Sequence, residues 1–259
     1  MLVYLVSLIQ DGDRRAELER NMPKLFSRSI HVEAVDGREL RAKDYYSNVL
    51  SYYKQSSILM SPSELGCTLS HIKALEMFLE ANEDNALVIE DDVSGDDSVY
   101  EKIDKIFNTL PSNSILICGG QEGLKSRRFQ VGKNVAEGVF RVSKFSHDYI
   151  LRTCCYVVSR DSAKHILAFH ENGVAVADNW GGILKGTDID IYYSELLSHP
   201  DDLSVSHIEK ERNEIKSKPL LEKIFSVGVF FILYRKVRER LLVVLLKLLG
   251  YKKININKL

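Results

Sequence analysis

Hydrophobic positions along this chain come in short runs that alternate with helix-like spacings. Val3–Leu8 is apolar and ends in Gln10-Asp11-Gly12-Asp13, after which Arg14–Met22 reads as a helix, so the chain opens as β-turn-α. Ile30–Val35 predicts a second strand, closed by Asp36-Gly37. This alternation predicts an α/β fold with a mostly parallel central sheet. Residues 41–60 are polar and rich in tyrosine (Tyr45, Tyr46, Tyr52, Tyr53) without a clear period, and read as a long functional loop or an irregular helical insertion. Those tyrosines suit either stacking on a ligand or packing in the core.

Ser61-Pro62-Ser63-Glu64 is a helix start: Ser caps, Pro fits the first turn, and Glu three residues after Ser completes a capping box. Leu65, Leu69, Ile72, Leu75 and Leu79 carry the helix to about Ala81. Asn82-Glu83-Asp84-Asn85 breaks it, and Ala86–Ile89 predicts a central strand that delivers Glu90, Asp91 and Asp92 at its C-terminal end. In open α/β sheets ligands bind at that end. Ile115–Cys118, Val139–Val142 and Cys155–Val158 are further strand candidates, and Ser159–His170 reads as a capped helix. Between Gly173 and Leu197 glycines interrupt the pattern, with Asp178, Trp180, Asp188 and Asp190 close together.

The pattern changes at Pro219, which divides a catalytic domain, 1–218, from a tail, 219–259. Ile224–Tyr234 is uncharged, Arg235–Arg240 is strongly basic, and Leu241–Leu249 is apolar apart from Lys247. Neither run reaches the roughly 20 apolar residues of a membrane-spanning helix, so the tail reads as an interfacial amphipathic helix. Charge agrees with this division. The formal net charge is −1, yet the tail carries nine Lys/Arg against two Glu, which leaves an acidic body. The expected partner of the tail is an anionic membrane surface, and no nucleic acid is expected. The four cysteines, Cys67, Cys118, Cys154 and Cys155, have no CxxC spacing and read as reduced, partly buried thiols. With an N-terminus that lacks the basic region and cleavage site of a secretory signal, the expected location is cytoplasmic, peripheral at the inner face of the cytoplasmic membrane.

The chemistry centres on the acidic triplet. Three successive carboxylates repel and raise one another's pKa, a cost that a divalent cation removes. Mg²⁺ or Mn²⁺ prefers oxygen ligands and bridges carboxylates to substrate phosphates, and it can stabilise a departing diphosphate as a Lewis acid. A solvated acidic turn is the alternative. Arg14 and Arg15, after the first strand, can face phosphate or a solvated helix face. His71 is either a site residue or a satisfied boundary histidine. Asp178 is a candidate for substrate binding or general-base catalysis with Asp188 as its rival, a surface-loop carboxylate being the alternative for either, and His207 is a candidate metal ligand or a solvent-exposed side chain. GxGxxG, Walker A, zinc-array and GxSxG patterns are all missing from the sequence.

Taken together, Val6-Ser7-Leu8 with Arg14-Arg15, the segment from Ser63 to His71 (SELGCTLSH), and Leu87–Val93 (LVIEDDV) resemble glycosyltransferase family 25, the bacterial lipooligosaccharide and lipopolysaccharide galactosyl- and glucosyltransferases. Tyr156–Ala163 is similar to that family's strand-to-helix segment, and Val176-Ala177-Asp178 to its later aspartate position, so the resemblance covers about residues 1–208. It implies a GT-A-type fold, a UDP-hexose donor, Mn²⁺ (or Mg²⁺), and inversion at the anomeric carbon. Within it, Asp92 is the chief metal ligand, Glu90 and Asp91 serve metal, ribose or diphosphate contacts, and Asp178 takes the acceptor proton. Ser7, Leu8, Arg14, Arg15 and His71, which lie in the matching blocks, join the donor site, while His207 as a further metal ligand and Asp188 as the rival base are added from the residues alone. The implied acceptor is a lipid-linked or lipopolysaccharide glycan, with galactose the first expectation for the hexose and glucose the next. The competing readings are a metal-dependent nucleotidyltransferase or phosphohydrolase, and a non-catalytic membrane-docked binding module.

Overall fold

A computed structural model describes residues 1–57, 59–199, 211 and 229–254. In chain order the elements are β1 (Leu2–Ser7), α1 (Gly12–Asn21), α2 (Pro23–Arg28), β2 (Ser29–Glu33), α3 (Ala42–Ser56), α4 (Pro62–Glu80), β3 (Asn85–Glu90), β4 (Ser94–Gly95), α5 (Val99–Phe107) and β5 (Ser114–Gly119). There follow β6 (Val131–Ala136), β7 (Val139–Val142), β8 (Cys155–Ser159), α6 (Arg160–Glu171), α7 (Trp180–Ile183), β9 (Asp190–Ser198), α8 (Val229–Leu248) and β10 (Lys252–Lys253).

The strands form one sheet in the order β10-β6-β7-β9-β5-β8-β3-β1-β2, with β4 attached to β9. Alternate side chains feed two cores. Tyr4, Val6, Val88, Ile117, Tyr156 and Val158 face one layer of helices, where Ala74, Leu75 and Phe78 of α4 meet Ala163 and Ile166 of α6 and Trp180 of α7. Val3, Leu5, Leu87, Ile89, Leu116 and Val157 face the other, against Leu18, Met22, Leu25 and Ile103. With both faces covered, the central strands read as continuous apolar runs. Ala86–Ile89 are accordingly fully buried.

The sheet is mixed α/β architecture, and this corrects the expectation of a mostly parallel one. β1 runs parallel to β2 and β3, and β5 parallel to β9, but β8 lies antiparallel between β3 and β5, and the β6, β7, β4 and β10 pairings are antiparallel too. Cys155 pairs with Ile89 and Ser159 with Asn85, so β8 enters the sheet beside the C-terminal end of β3. A parallel entry would need a crossover back to the opposite end of the sheet. The excursion through the β6–β7 hairpin does not supply one.

Residues 42–56 form a regular helix rather than a loop. Tyr45, Val49 and Tyr52 recur at i, i+4, i+7 and pack on Met60, Leu65 and Val174, with the Tyr45 hydroxyl donating to the Met60 carbonyl. Tyr46 and Tyr53 lie on the exposed side. The capping box of α4 is present: the Ser61 hydroxyl accepts from the Glu64 N–H at 3.2 Å, and the Glu64 carboxylate accepts from the Ser61 N–H at 2.8 Å. Such a cap contributes about 1 kcal/mol and fixes where α4 begins, hence which residues face the site. All four cysteines are free, and Cys118, Cys154 and Cys155 are buried.

The described part of the tail is not detached. Val243 and Leu246 of α8 pack against Phe129 and Val131, and β10 pairs with β6 at the sheet edge. Among the described residues, no helix is long and apolar enough to cross a membrane. Residues 219–228 and the candidate ligand His207 lie outside the described residues.

Candidate active site

A cavity of about 840 Å³ opens where β1 and β3 end. Its floor is Ser7 and Leu8 after β1 and the triplet Glu90, Asp91 and Asp92 after β3. Its walls come from Cys67, Ser70 and His71 on α4, from Arg152-Thr153-Cys154 ahead of β8, from Val176-Ala177-Asp178, and from His199 just past β9. The parallel arrangement of β1 and β3 puts two C-terminal ends side by side, which is why a polar cluster can sit over an apolar sheet.

The triplet divides its attachments. Glu90 turns to α4: its Oε1 lies 3.2 Å from His71 Nε2 and accepts from the Thr153 hydroxyl at 3.2 Å, while His71 Nδ1 is 3.1 Å from the Tyr156 hydroxyl. Cys67, one turn before His71, completes the group Cys67, His71 and Glu90, whose ligand atoms all lie within 4.8 Å of one another. A set containing a thiol suits a softer ion than Mg²⁺ or Mn²⁺. Asp91 and Asp92 turn instead to Arg14, whose Nη2 is 2.6 Å from Asp91 Oδ1 and 2.7 Å from Asp92 Oδ2. His199 Nε2 lies 3.2 Å from that same Asp92 oxygen.

These surroundings drive the two aspartates apart. Burial pushes the Asp91 carboxyl up to about 6, against the pull of Arg14 and a hydrogen bond from Ser7. At Asp92 burial also acts upward, but the His199 hydrogen bond and charge, with Arg14, hold the carboxyl below the ordinary carboxylate range. Asp92 is therefore the oxygen donor that stays ionised. Its second oxygen, Oδ1, is buried without a hydrogen-bond partner. Such an orphan costs free energy unless something satisfies it, and an oxygen-seeking divalent cation fits that need.

Arg15 has a different job from its neighbour. Its guanidinium donates to the Ser7 hydroxyl at 2.7 Å, to the Leu8 carbonyl, and to the Ile9 carbonyl at 2.8 Å, which brackets the turn after β1. Asp178 reaches the cavity and its Oδ2 accepts the Arg152 N–H at 2.9 Å. Arg152 itself has φ +66°, an uncommon left-handed conformation for a non-glycine residue, and its guanidinium donates to the carbonyls of Gly120 (2.8 Å) and Glu122 (3.1 Å). Asp188 is not brought to this place. It is exposed just ahead of β9, at the end of the sheet where β5 begins, since Asp190 pairs with Ser114, and it does not line the cavity.

Sequence reasoning did not single out His199, Thr153 or Arg152. The available signal for His199 was its place directly after a strand, and that strand was hidden by the glycine-broken stretch before it.

The model of glycosyltransferase family 25, described as LPS biosynthesis proteins, matches residues 1–180. The chain belongs to glycosyltransferase family 25. Its match therefore holds β1, α4, β3 and β8 together with Asp178, though not His199. Among curated relatives it is similar to human procollagen galactosyltransferase 2, 27% identical over 183 residues, covering 66% of this chain and 28% of that protein. A glycosyltransferase 25 family member of Drosophila melanogaster is 25% identical over 173 residues, covering 64% and 27% respectively. The family 25 chain thus spans under a third of the length of these relatives. Among solved structures it resembles the galactosyltransferase LgtC bound to donor and acceptor sugar analogs (TM-score 0.40, 10% identity, 86% of this chain and 99% of that one). It also resembles a mannose-1-phosphate geranyltransferase of Thermus thermophilus (TM-score 0.41, 12% identity, 75% and 74%).

Proposed function

We propose that this family 25 chain is a GT-A-type inverting hexosyltransferase that moves galactose, or failing that glucose, from a UDP-sugar to a sugar of a lipopolysaccharide or lipooligosaccharide acceptor. The observation that carries the reading is the charged end of the cavity, where an ionised Asp92 with an orphaned oxygen stands beside His199 and Arg14. Asp92 and His199 would hold Mn²⁺ or Mg²⁺, which when bound supplies Lewis-acid stabilisation of the departing diphosphate. His199 takes the place given in the sequence reading to His207. Arg14 offers the diphosphate a planar pair of donors. Arg15 keeps Ser7 and Leu8 in place beneath the nucleotide, and Glu90, held by His71 and Thr153, is left for ribose or sugar hydroxyls.

Asp178 is the proposed base. An inverting displacement needs a carboxylate near the attacking hydroxyl, on the side away from the leaving group. Asp178 enters from the wall built by residues 176–178, and the Arg152 N–H fixes its orientation. The test is release of UDP from a panel of UDP-sugars, with Mn²⁺ or with chelator, in the presence and absence of deacylated lipooligosaccharide. Metal-dependent release from one UDP-hexose, stimulated by acceptor, is expected. Turnover of nucleotides with no sugar acceptor would favour a phosphohydrolase or nucleotidyltransferase, and absence of any metal-dependent UDP binding would sink the glycosyltransferase reading.

A peripheral site at the inner face of the cytoplasmic membrane belongs to the same proposal. Tyr234, Val237, Leu241, Val244, Leu245 and Leu248 are exposed on the side of α8 that turns away from the docked Val243 and Leu246, with Lys236, Arg240 and Lys247 along one flank. Deleting the tail is a poor test, because β10 and the buried Ile254 belong to the body. The double substitution Leu241→Gln, Leu245→Gln touches only the outer face. It should reduce co-sedimentation with vesicles containing anionic lipid by at least about tenfold, two leucine side chains being worth several kcal/mol of burial; unchanged co-sedimentation would refute the membrane role.

A further inference from the structure

We infer that Arg14 is a built-in counter-ion that competes with the divalent cation for Asp92, so that loading the cation releases the guanidinium toward the donor diphosphate. The inference rests on the donor-site reading above and deepens it.

One nitrogen, Arg14 Nη2, touches both carboxylates, at 2.6 Å and 2.7 Å, and Nη1 lies 3.7 Å from Asp11. Bridging two carboxylates through one cationic atom is what a metal ion would otherwise do at the end of β3. The side chains of Asp91 and Asp92 are only 5% and 21% exposed, so their charges need a cation nearby, and in the chain by itself Arg14 supplies it. Arg14, by contrast, is 41% exposed. A side chain this exposed, lining the cavity, can turn toward a ligand there. The comparison with Arg15 is instructive, since that guanidinium is fixed by three acceptors of the β1–α1 turn. Adjacent arginines thus divide the work: one holds the backbone, and the other is held by carboxylates, the two closest being Asp91 and Asp92, of which Asp92 is the one the metal would take.

Charge decides whether both cations fit. Two carboxylates with one guanidinium sum to −1, and a divalent ion added beside an unmoved Arg14 would bring two like charges within a few ångströms in a partly buried place. That is unfavourable, whereas a diphosphate entering with the metal offers the guanidinium a new anionic partner. Asp92 Oδ1, buried without a hydrogen-bond partner, is an oxygen that the ion would satisfy once bound.

The experiment measures two affinities on the full chain at neutral pH: Mn²⁺ alone, by loss of the free-ion EPR signal, and UDP in saturating Mn²⁺, by calorimetry. For Arg14→Gln, Mn²⁺ should bind about tenfold tighter, the yield of removing a partly exposed double ion pair, while UDP should bind about tenfold or more weaker. Opposite signs separate this from a general structural defect, which would weaken both. Arg14→Lys, which keeps the charge but cannot span both carboxylates and the diphosphate in the same way, should shift both affinities in the same directions by less. It serves as the test should the glutamine variant fail to fold. Equal Mn²⁺ affinity in wild type and variants overturns the inference and leaves the transferase reading intact. Failure of wild type and variants alike to bind Mn²⁺ even with UDP removes the metal reading itself.

Discussion

Asp92→Asn should lower sugar transfer by about a thousandfold while leaving the thermal midpoint within a few degrees of wild type. The substitution keeps the shape of the side chain and removes its charge. Of the paired Asp91 and Asp92, burial raises the first, whereas His199 and Arg14 hold Asp92 below the ordinary carboxylate range against the upward push of burial, so Asp92 is the one of the two whose charge the surroundings keep. A Lewis acid on a departing phosphate contributes several kcal/mol to the transition state, and each 1.36 kcal/mol is a factor of ten, so loss of about 4 kcal/mol gives the stated fall. The fold should tolerate the change because Arg14 retains Asp91 at 2.6 Å and Asp11 at 3.7 Å. UDP release with a saturating donor and a melting curve on the same preparation check it. A fall of less than tenfold, with the metal dependence unchanged, would place the catalytic cation elsewhere, and the Cys67, His71 and Glu90 group would be the next position to examine.

Much of this site was legible in the sequence because its parts sit at boundaries that local chemistry marks. Ala86–Ile89 is an unbroken apolar run that must be buried on both faces, so the polar residues after it had to emerge at a sheet edge. Ser61-Pro62-Ser63-Glu64 fixes the start of α4, and with it the face that carries Cys67 and His71. The parts that were missed depend on long-range pairing. The direction of β8 follows from where the chain re-enters the sheet, which no local pattern encodes. β9 begins at Asp190, inside a stretch where glycine and aspartate hide its apolar residues, so His199 at its end went unnoticed. The helix at 42–56 has a sound apolar spacing, but it is carried by Tyr45, Val49 and Tyr52, and two of those residues are tyrosines that read equally well as loop aromatics.

One residue inside the family-like segment SELGCTLSH has a role that only packing reveals, and it leads to a prediction whose sign opposes simple helix propensity. Gly66 lies in the interior of α4, where glycine is about 1 kcal/mol worse than alanine, so Gly66→Ala should stabilise the chain if the helix alone mattered. A Cβ at Gly66 would instead stand 2.5 Å from the Gly37 nitrogen and 2.5 Å from the Val35 carbonyl oxygen. The converse holds at Gly37, whose Cβ would fall 1.8 Å from the Pro62 carbonyl oxygen. These are backbone atoms, which cannot swing aside as a side-chain end does. One turn further on, Ser70 ties the same two segments, its hydroxyl accepting from the Val35 N–H at 2.8 Å and donating to the Gly66 carbonyl at 2.6 Å. The loop after β2, residues 35–37, is thus clamped to α4 at backbone contact, and it carries Asp36 and Arg38 into the cavity wall. Gly66→Ala should therefore destabilise the chain by about 3 kcal/mol, the upper end of the cost of overpacking, which for a chain of this size lowers the melting midpoint by roughly 6–12 °C. A melting curve at matched protein concentration decides between the two signs. An unchanged or higher midpoint would mean that the clamp yields freely, and the shape of the wall that Asp36 and Arg38 present to the cavity would then not depend on α4.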